Sequence, residues 1–237
     1  MEPELKLHTK EIPAKGKGYF IIEKCWPDQL DGAVRRGART LLAQGATAIY
    51  VCSKDPAANL CAGRGEGYRL EFRHDMLNME RRLDADRPRP DARLTLEPLQ
   101  REKGGAWLAL YNESFFDVPN SETCGRDALE EFLSDHWRCG FALLDGVPVG
   151  VYQVNLQGAA PEIAAIGLTK DVRRRGLGRE LLLWVMDLCA TLGHESARLR
   201  VSTANESAYG LYRSTGFRVT ELLSHWYEVI SEGDLGA

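Results

Sequence analysis

Several patterns that define common protein classes are missing from this chain. No apolar run approaches the ~20 residues that a membrane-spanning helix needs, and the first residues lack the apolar core of a secretory signal. The net charge is −4, whereas nucleic-acid binders typically carry an excess of basic residues. These absences predict a cytoplasmic protein that binds neither membranes nor nucleic acids.

The cysteines and histidines also lack informative spacing. The chain has no C-x-x-C pair, no dense disulfide framework and no histidine spacing typical of a metal site. We therefore expect no metal, and we interpret the six cysteines as reduced core residues: Cys25, Cys52, Cys61, Cys124, Cys139 and Cys189.

Residues 83–93 have the composition of a boundary between two parts of the chain. This stretch contains two prolines and alternating charges but no apolar periodicity, so it suits a linker better than a helix or strand. We predict an N-terminal lobe over 1–85, a linker over 86–93 and a larger domain over 94–237.

The most informative stretch runs from Ile166 to Leu183. It has the pattern of a strand, a glycine-bearing loop and a helix, with Arg173, Gly176 and Gly178 in the loop. A helix start exposes unpaired N–H groups and the positive end of the helix dipole, an arrangement that favours phosphate. Taken alone, the spacing is equally typical of a strand–helix turn with a solvated basic corner.

A second motif follows about thirty residues later. Residues 197–203 alternate like a strand, and Asn205, Ala208, Leu211, Tyr212, Gly216 and Phe217 outline a short helix closed by a glycine. With both motifs in this order and spacing, residues 94–230 resemble the GNAT superfamily of acyl-CoA-dependent N-acyltransferases.

The resemblance implies an α/β (α+β) fold with a mixed, mostly antiparallel sheet flanked by helices. Apolar periodicity and turn signals predict the corresponding elements of the larger domain. These are strand 93–98, helices 105–116 and 126–137, a hairpin over 141–156 turning at Asp145-Gly146, strand 162–169 and helix 178–192.

The N-terminal lobe repeats the second half of the larger domain. Residues 38–45, 48–53 and 67–70 parallel 188–193, 198–203 and 216–219. We interpret residues 1–85 as a truncated GNAT-like lobe; coincidental alternation of helix and strand is the alternative. Its loop over 27–33 has one glycine and no arginine, so we expect the lobe to be non-catalytic.

The resemblance assigns the acyl-donor site residue by residue. The loop residues Arg173, Arg174, Arg175, Gly176, Leu177 and Gly178 would hold the pyrophosphate of acetyl-CoA. The backbone of Leu168 and Thr169 would pair with the pantetheine arm, and an N–H there would serve the thioester oxygen. Asn205 would contact the donor through its amide; a helix N-cap is the alternative.

Tyr212 and Glu162 are the candidate catalytic residues. A phenol remains protonated at neutral pH and can protonate the departing thiolate; the alternative for Tyr212 is core packing. Glu162 lies an even number of residues from Leu168, which predicts the same strand face, and it would accept the amine proton. The alternative for Glu162 is an exposed strand start.

We therefore predict transfer of an acetyl or acyl group from acetyl-CoA to a primary amine, by direct attack in a ternary complex. No cysteine is convincingly placed as an acyl carrier. Residues 111–122 would contact the small-molecule or peptide acceptor, although they are equally compatible with ordinary packing. A non-catalytic acyl-CoA sensor or interaction module is the alternative, and a homodimer remains open.

Overall fold

The computed structural model describes residues 2–83, 93–233 and 235. The predicted linker over 86–93 lies outside these residues except for Arg93. The strands are β1 Glu4–His8, β2 Lys17–Lys24, β3 Ala48–Ser53, β4 Gly63–Gly65, β5 Tyr68–Arg82, β6 Leu94–Pro98, β7 Trp137–Leu144, β8 Val147–Asn155, β9 Glu162–Leu168, β10 Ser196–Ser202 and β11 Arg218–Ser231. The helices are α1 Ile12–Lys15, α2 Leu30–Ala43, α3 Gly104–Phe115, α4 Leu129–Phe132, α5 Leu177–Thr191 and α6 Glu206–Ser214.

The chain divides into two compact units. The first unit comprises residues 1–77, 202–204 and 222–237, and the second comprises 78–201 and 205–221. The long strands β5 and β11 contribute residues to both units. The units therefore do not follow the predicted order of two consecutive domains, and the domain assignment stays a prediction.

The first unit is built on a β–α–β unit. Strands β2 and β3 are parallel, with α2 between them in sequence, and β1 pairs antiparallel with β2. Apolar side chains of α2 and both strands form its core, including Phe20, Val34, Leu41 and Val51. Gly37 of α2 permits this close packing, because an added Cβ would lie 2.7 Å from the Phe20 ring.

The second unit contains an antiparallel run from β6 to β9, followed by parallel β10. Helix α3 packs Trp107 and Leu108 against β7 and β8, and the Trp107 indole donates to Gly140 O at 2.9 Å. Helix α5 buries Leu181, Leu182, Val185 and Met186. The mostly antiparallel sheet flanked by helices confirms the predicted fold class.

Two local predictions had different outcomes. The hairpin between β7 and β8 turns at Asp145 and Gly146 as expected, and both have the positive φ that a type I′ turn requires, 52° and 79°. The helix predicted over 126–137 was too long: α4 ends at Phe132, and Trp137 begins β7 opposite Asn155. Pairing of Trp137 in the sheet replaces the helical turn that its spacing suggested.

Candidate functional site

A gap between two parallel strands forms the centre of the candidate site. Within the described residues, β9 and β10 share one ladder pair, Glu162 with Arg198. The register between β8 and β9 shifts at Ala164, where β9 carries one extra residue. Because a bulge bends its strand and increases the local twist, β9 separates from β10 along the stretch that ends at Leu168.

The backbone N–H of Leu168 faces this gap, whereas the backbone N–H of Thr169 does not. The Thr169 N–H donates to Val149 O at 2.9 Å, and its carbonyl accepts from Val172 N at 3.3 Å. Alternation along a strand then directs the Leu168 N–H to the opposite edge, which faces β10. The Leu168 N–H therefore faces the gap, whereas the Thr169 N–H is used in pairing with β8 and its carbonyl already accepts one hydrogen bond. The assignment of both residues to the pantetheine arm stays a prediction.

The loop before α5 leads into a helix start that no side chain caps. Arg174 and Gly176 both have left-handed backbones, with φ of 62° and 81°. Gly176 is the N-cap of α5, and no side chain caps the helix there. Helix geometry leaves the N–H groups of Leu177 and Gly178 without intrahelical acceptors, so two amides and the positive helix end are available to a phosphate.

Gly178 has room beside it. An added Cβ would lie 3.8 Å from a Leu211 methyl group and 3.9 Å from a Leu168 methyl group. The first turn of α5, the end of β9 and helix α6 therefore meet at this point. This convergence unites the two sequence motifs.

Arg173 is used mainly to hold the loop in place. Its guanidinium donates to Leu168 O and to Ser114 O, each at 2.9 Å, and so ties the loop to β9 and α3. Arg174 and Arg175 are exposed. The structure thus gives Arg173 a positioning role and leaves the other two side chains at the surface of the loop.

Glu180, a buried carboxylate, was not found by sequence reasoning. It accepts the backbone N–H of Leu94 at 2.6 Å and Arg93 Nε at 2.9 Å, while Arg93 also donates to Arg175 O at 3.1 Å. A negative charge in the first turn is favoured by the helix dipole. Its sequence signal was a lone acid before Leu181, at the start of an apolar run.

Asn205 and Tyr212 lie on the third element of the site. Asn205 Oδ1 accepts from Ala208 N at 3.3 Å, so the N-cap role is established. The Tyr212 ring packs against Phe217 with centroids 6.0 Å apart, and its carbonyl accepts from Phe217 N at 3.0 Å. Desolvation by burial raises the pKa of Tyr212 to about 12, which keeps the phenol protonated.

Glu162 does not have the geometry predicted for a base. Its Oε1 accepts from Arg200 at 2.7 Å, and Oε2 lies 3.7 Å from Arg198. The bulge at Ala164 reverses the expected alternation, so Glu162 and Leu168 lie on opposite faces of β9. Six residues of strand also separate the two by about 20 Å.

The first unit lacks the corresponding gap. Strands β2 and β3 are paired in continuous register from Lys17–Ala48 to Ile22–Ser53. The facing edges of β2 and β3 are thus hydrogen-bonded to each other, whereas the corresponding edges of β9 and β10 separate.

Residues 111–122, which are predicted to contact the acceptor, include both packed and exposed side chains. The Phe115 ring packs at a tilt against Tyr111 with centroids 4.7 Å apart and lies against Gly167, whereas Phe116 is half exposed. Asp117 forms an ion pair with Lys170 at 2.5 Å.

A metal site and a membrane-spanning helix are both absent from the residues that the structure describes. No group of three His, Cys, Asp or Glu side chains there is arranged to hold a metal ion. None of the helices in residues 2–83 and 93–233 combines the length and apolar character needed to cross a bilayer.

Comparison with known proteins identifies the family. The sequence profile of the acetyltransferase (GNAT) family matches residues 95–217, just over half of the 237-residue chain. The chain belongs to this family. The enzyme class predicted from the sequence is thereby confirmed at the level of the family.

Curated relatives match over part of their length. The mycothiol acetyltransferase of Clavibacter sepedonicus is 30% identical over 132 residues, which cover 54% of this chain and 43% of that protein. The mycothiol acetyltransferase of Thermobispora bispora is 30% identical over 177 residues, covering 68% and 58%. The chain spans about half the length of the curated relatives it matches.

Solved structures share the fold at low identity. A GCN5-related N-acetyltransferase from Sphaerobacter thermophilus superposes with a TM-score of 0.61 at 17% identity, covering 95% of this chain and 74% of that one. One from Kribbella flavida gives 0.53 at 16% identity, covering 92% and 81%. At these identities the likeness concerns the fold alone.

Proposed function

We propose that the chain transfers an acetyl or other acyl group from acyl-CoA to a primary amine. The observation that carries this proposal is the meeting of the β9 end, the uncapped start of α5 and helix α6 around Gly178. Membership of the acetyltransferase (GNAT) family supports the same chemistry.

The donor would bind along these three elements. Its pyrophosphate would accept from the Leu177 and Gly178 amides, at a helix end that favours negative charge. Its pantetheine arm would run beside the exposed edge of β9. The space next to Gly178, which any larger side chain would occupy, fits a backbone-hugging ligand.

The transfer forms one C–N bond and breaks one C–S bond. The amine nitrogen attacks the thioester carbonyl carbon, and the Leu168 N–H would donate to the carbonyl oxygen as negative charge develops. Tyr212 would protonate the departing sulfur. The amine releases one proton for each proton that the thiol gains, so the phenol is restored through solvent.

Direct attack is favoured over an acyl-enzyme route. Burial raises the pKa of both the Cys139 and Cys189 thiols to about 12, which suppresses the thiolate that a covalent route needs. Neither thiol is therefore a suitable acyl carrier. Because arginines hold the Glu162 carboxylate, we assign no amine base to that residue.

The proposed acceptor is a small molecule with a primary amine. Similarity to proteins named mycothiol acetyltransferase supports a low-molecular-weight acceptor rather than a polymer. The ion pair between Asp117 and Lys170 places charges of both signs beside the end of α3.

We also propose that the N-terminal lobe is non-catalytic. Its paired strands β2 and β3 leave no open edge for a pantetheine arm. The interpretation of this lobe as a GNAT-like repeat is supported by the parallel β2–α2–β3 unit, which follows the same order as β9–α5–β10. The homodimer and the cytoplasmic location stay predictions.

The test is turnover with a panel of primary amines. Purified chain is mixed with acetyl-CoA, thiol release is followed optically, and acetylated products are identified by mass spectrometry. We expect equal amounts of free thiol and N-acetyl product with at least one amine. Donor binding without product across the panel would favour the sensor, and no donor binding would refute both.

A further inference from the structure

An open cavity rich in arginine adjoins the proposed donor site. Its volume is about 720 Å³, within the range of pockets that hold small ligands. Arg179 reaches it from the first turn of α5, one residue beyond Gly178. Arg82 comes from the end of β5 and Arg218 from the start of β11.

The lining is strongly positive and partly fixed. It includes four guanidinium groups, those of Arg81, Arg82, Arg179 and Arg218, against one carboxylate, Glu80. Arg81 donates to Thr215 O, just beyond the last residue of α6. That bond anchors one wall of the cavity, while Arg82, Arg179 and Arg218 lie at the exposed surface.

The position relative to the loop determines which anion fits. Arg179 follows Gly178 directly, so this wall begins about 4 Å along the chain from a residue proposed to bind pyrophosphate. CoA carries a second phosphate, on the 3′ oxygen of the same ribose whose 5′ carbon bears the pyrophosphate. A group bound at the Gly178 amide therefore brings the 3′-phosphate close to the cavity.

We infer that this cavity binds the 3′-phosphate of the acyl donor, with Arg82, Arg179 and Arg218 as its specificity residues. The inference rests on the proposed function. Guanidinium groups suit it because they bind phosphate through paired N–H donors. The chain should therefore discriminate acyl-CoA from acyl-dephospho-CoA, which lacks this phosphate.

The experiment compares dissociation constants for CoA and dephospho-CoA. Hydrogen bonds to charged groups correspond to about 10- to 150-fold in affinity, and an open cavity favours the lower end, so we expect CoA to bind about tenfold more tightly. Arg218→Ala and Arg82→Ala should each reduce this preference and leave dephospho-CoA affinity nearly unchanged. Arg39→Ala, on α2, removes the same charge elsewhere and should keep the full preference.

Adenosine 3′,5′-bisphosphate and inorganic phosphate separate the sources of the anion. The nucleotide should compete with CoA in the wild type and more weakly in Arg218→Ala, whereas inorganic phosphate should compete poorly with both. Equal binding of CoA and dephospho-CoA would overturn this inference and leave the proposed function intact. Failure of both ligands to bind would instead count against the proposed function.

Discussion

Replacement of Tyr212 by phenylalanine isolates the proposed proton donor. The ring contact with Phe217 and the backbone bonds of α6 do not involve the hydroxyl, so the variant should fold normally. Donor affinity should change little, because the proposed phosphate and pantetheine contacts lie on α5 and β9. The expected loss is in the rate of transfer.

The raised pKa sets the size of that loss. An ordinary thiol has a pKa of about 8.5, and burial raises the pKa of Tyr212 to about 12. Complete proton transfer to a free thiolate would thus be uphill by about 5 kcal/mol, at 1.36 kcal/mol per pKa unit. The hydroxyl would therefore first donate a hydrogen bond to the developing negative charge, before the proton moves to sulfur; that bond is worth about 1.5–3 kcal/mol, and the rate should fall about 10- to 150-fold.

The assay is single-turnover acetyl transfer at saturating donor and acceptor, measured from pH 7 to 10. Because the pKa of Tyr212 is about 12, its ionisation should produce no alkaline decline in this range. The loss in Tyr212→Phe should shrink with an acyl donor whose leaving group needs no protonation. Near wild-type rates with the natural thioester, with chemistry rate-limiting, would refute the acid role.

Three further predictions follow from the site geometry. Gly178→Ala should retain or slightly increase thermal stability, because the new Cβ meets no atom closer than 3.8 Å and alanine favours helix over glycine by about 1 kcal/mol. The same variant should raise the Kd for CoA. Unchanged CoA affinity would contradict the proposed path of the donor. Gly176→Ala, at φ 81°, should lower the unfolding temperature even without ligand, and a variant as stable as the wild type would contradict the strain argument. Glu162→Gln should reduce turnover less than tenfold, since arginines hold the carboxylate. The unfolding free energy should fall by about 0–1 kcal/mol, as for a partly exposed ion pair. A much larger loss of turnover with normal stability would restore the base role.

The features of the candidate site that the sequence could indicate are local ones. Gly176 and the Asp145-Gly146 turn need left-handed backbones, which glycine and aspartate tolerate and which their sequence positions reveal. The N-cap role of Asn205 is local too, because the acceptor and donor are three residues apart.

The errors arose where a distant partner decided the outcome. The extra residue at Ala164 is visible only once β8 supplies the register, and it moved Glu162 to the opposite face from Leu168. Arg173 also donates to Ser114 O, 59 residues away in sequence, so its part in holding the loop could not be predicted from local spacing, and its role as a phosphate ligand stays a prediction. Tertiary pairing also ended α4 early, because Trp137 joins the sheet.

The measurement that tests the central claim most directly is calorimetric titration of the intact chain with acetyl-CoA. One open strand pair, β9 with β10, and one continuous pair, β2 with β3, predict one donor molecule per chain. Binding should weaken in Gly178→Ala and persist in Tyr212→Phe. A stoichiometry of two would contradict the non-catalytic lobe, and the absence of binding at millimolar acetyl-CoA would contradict the account as a whole.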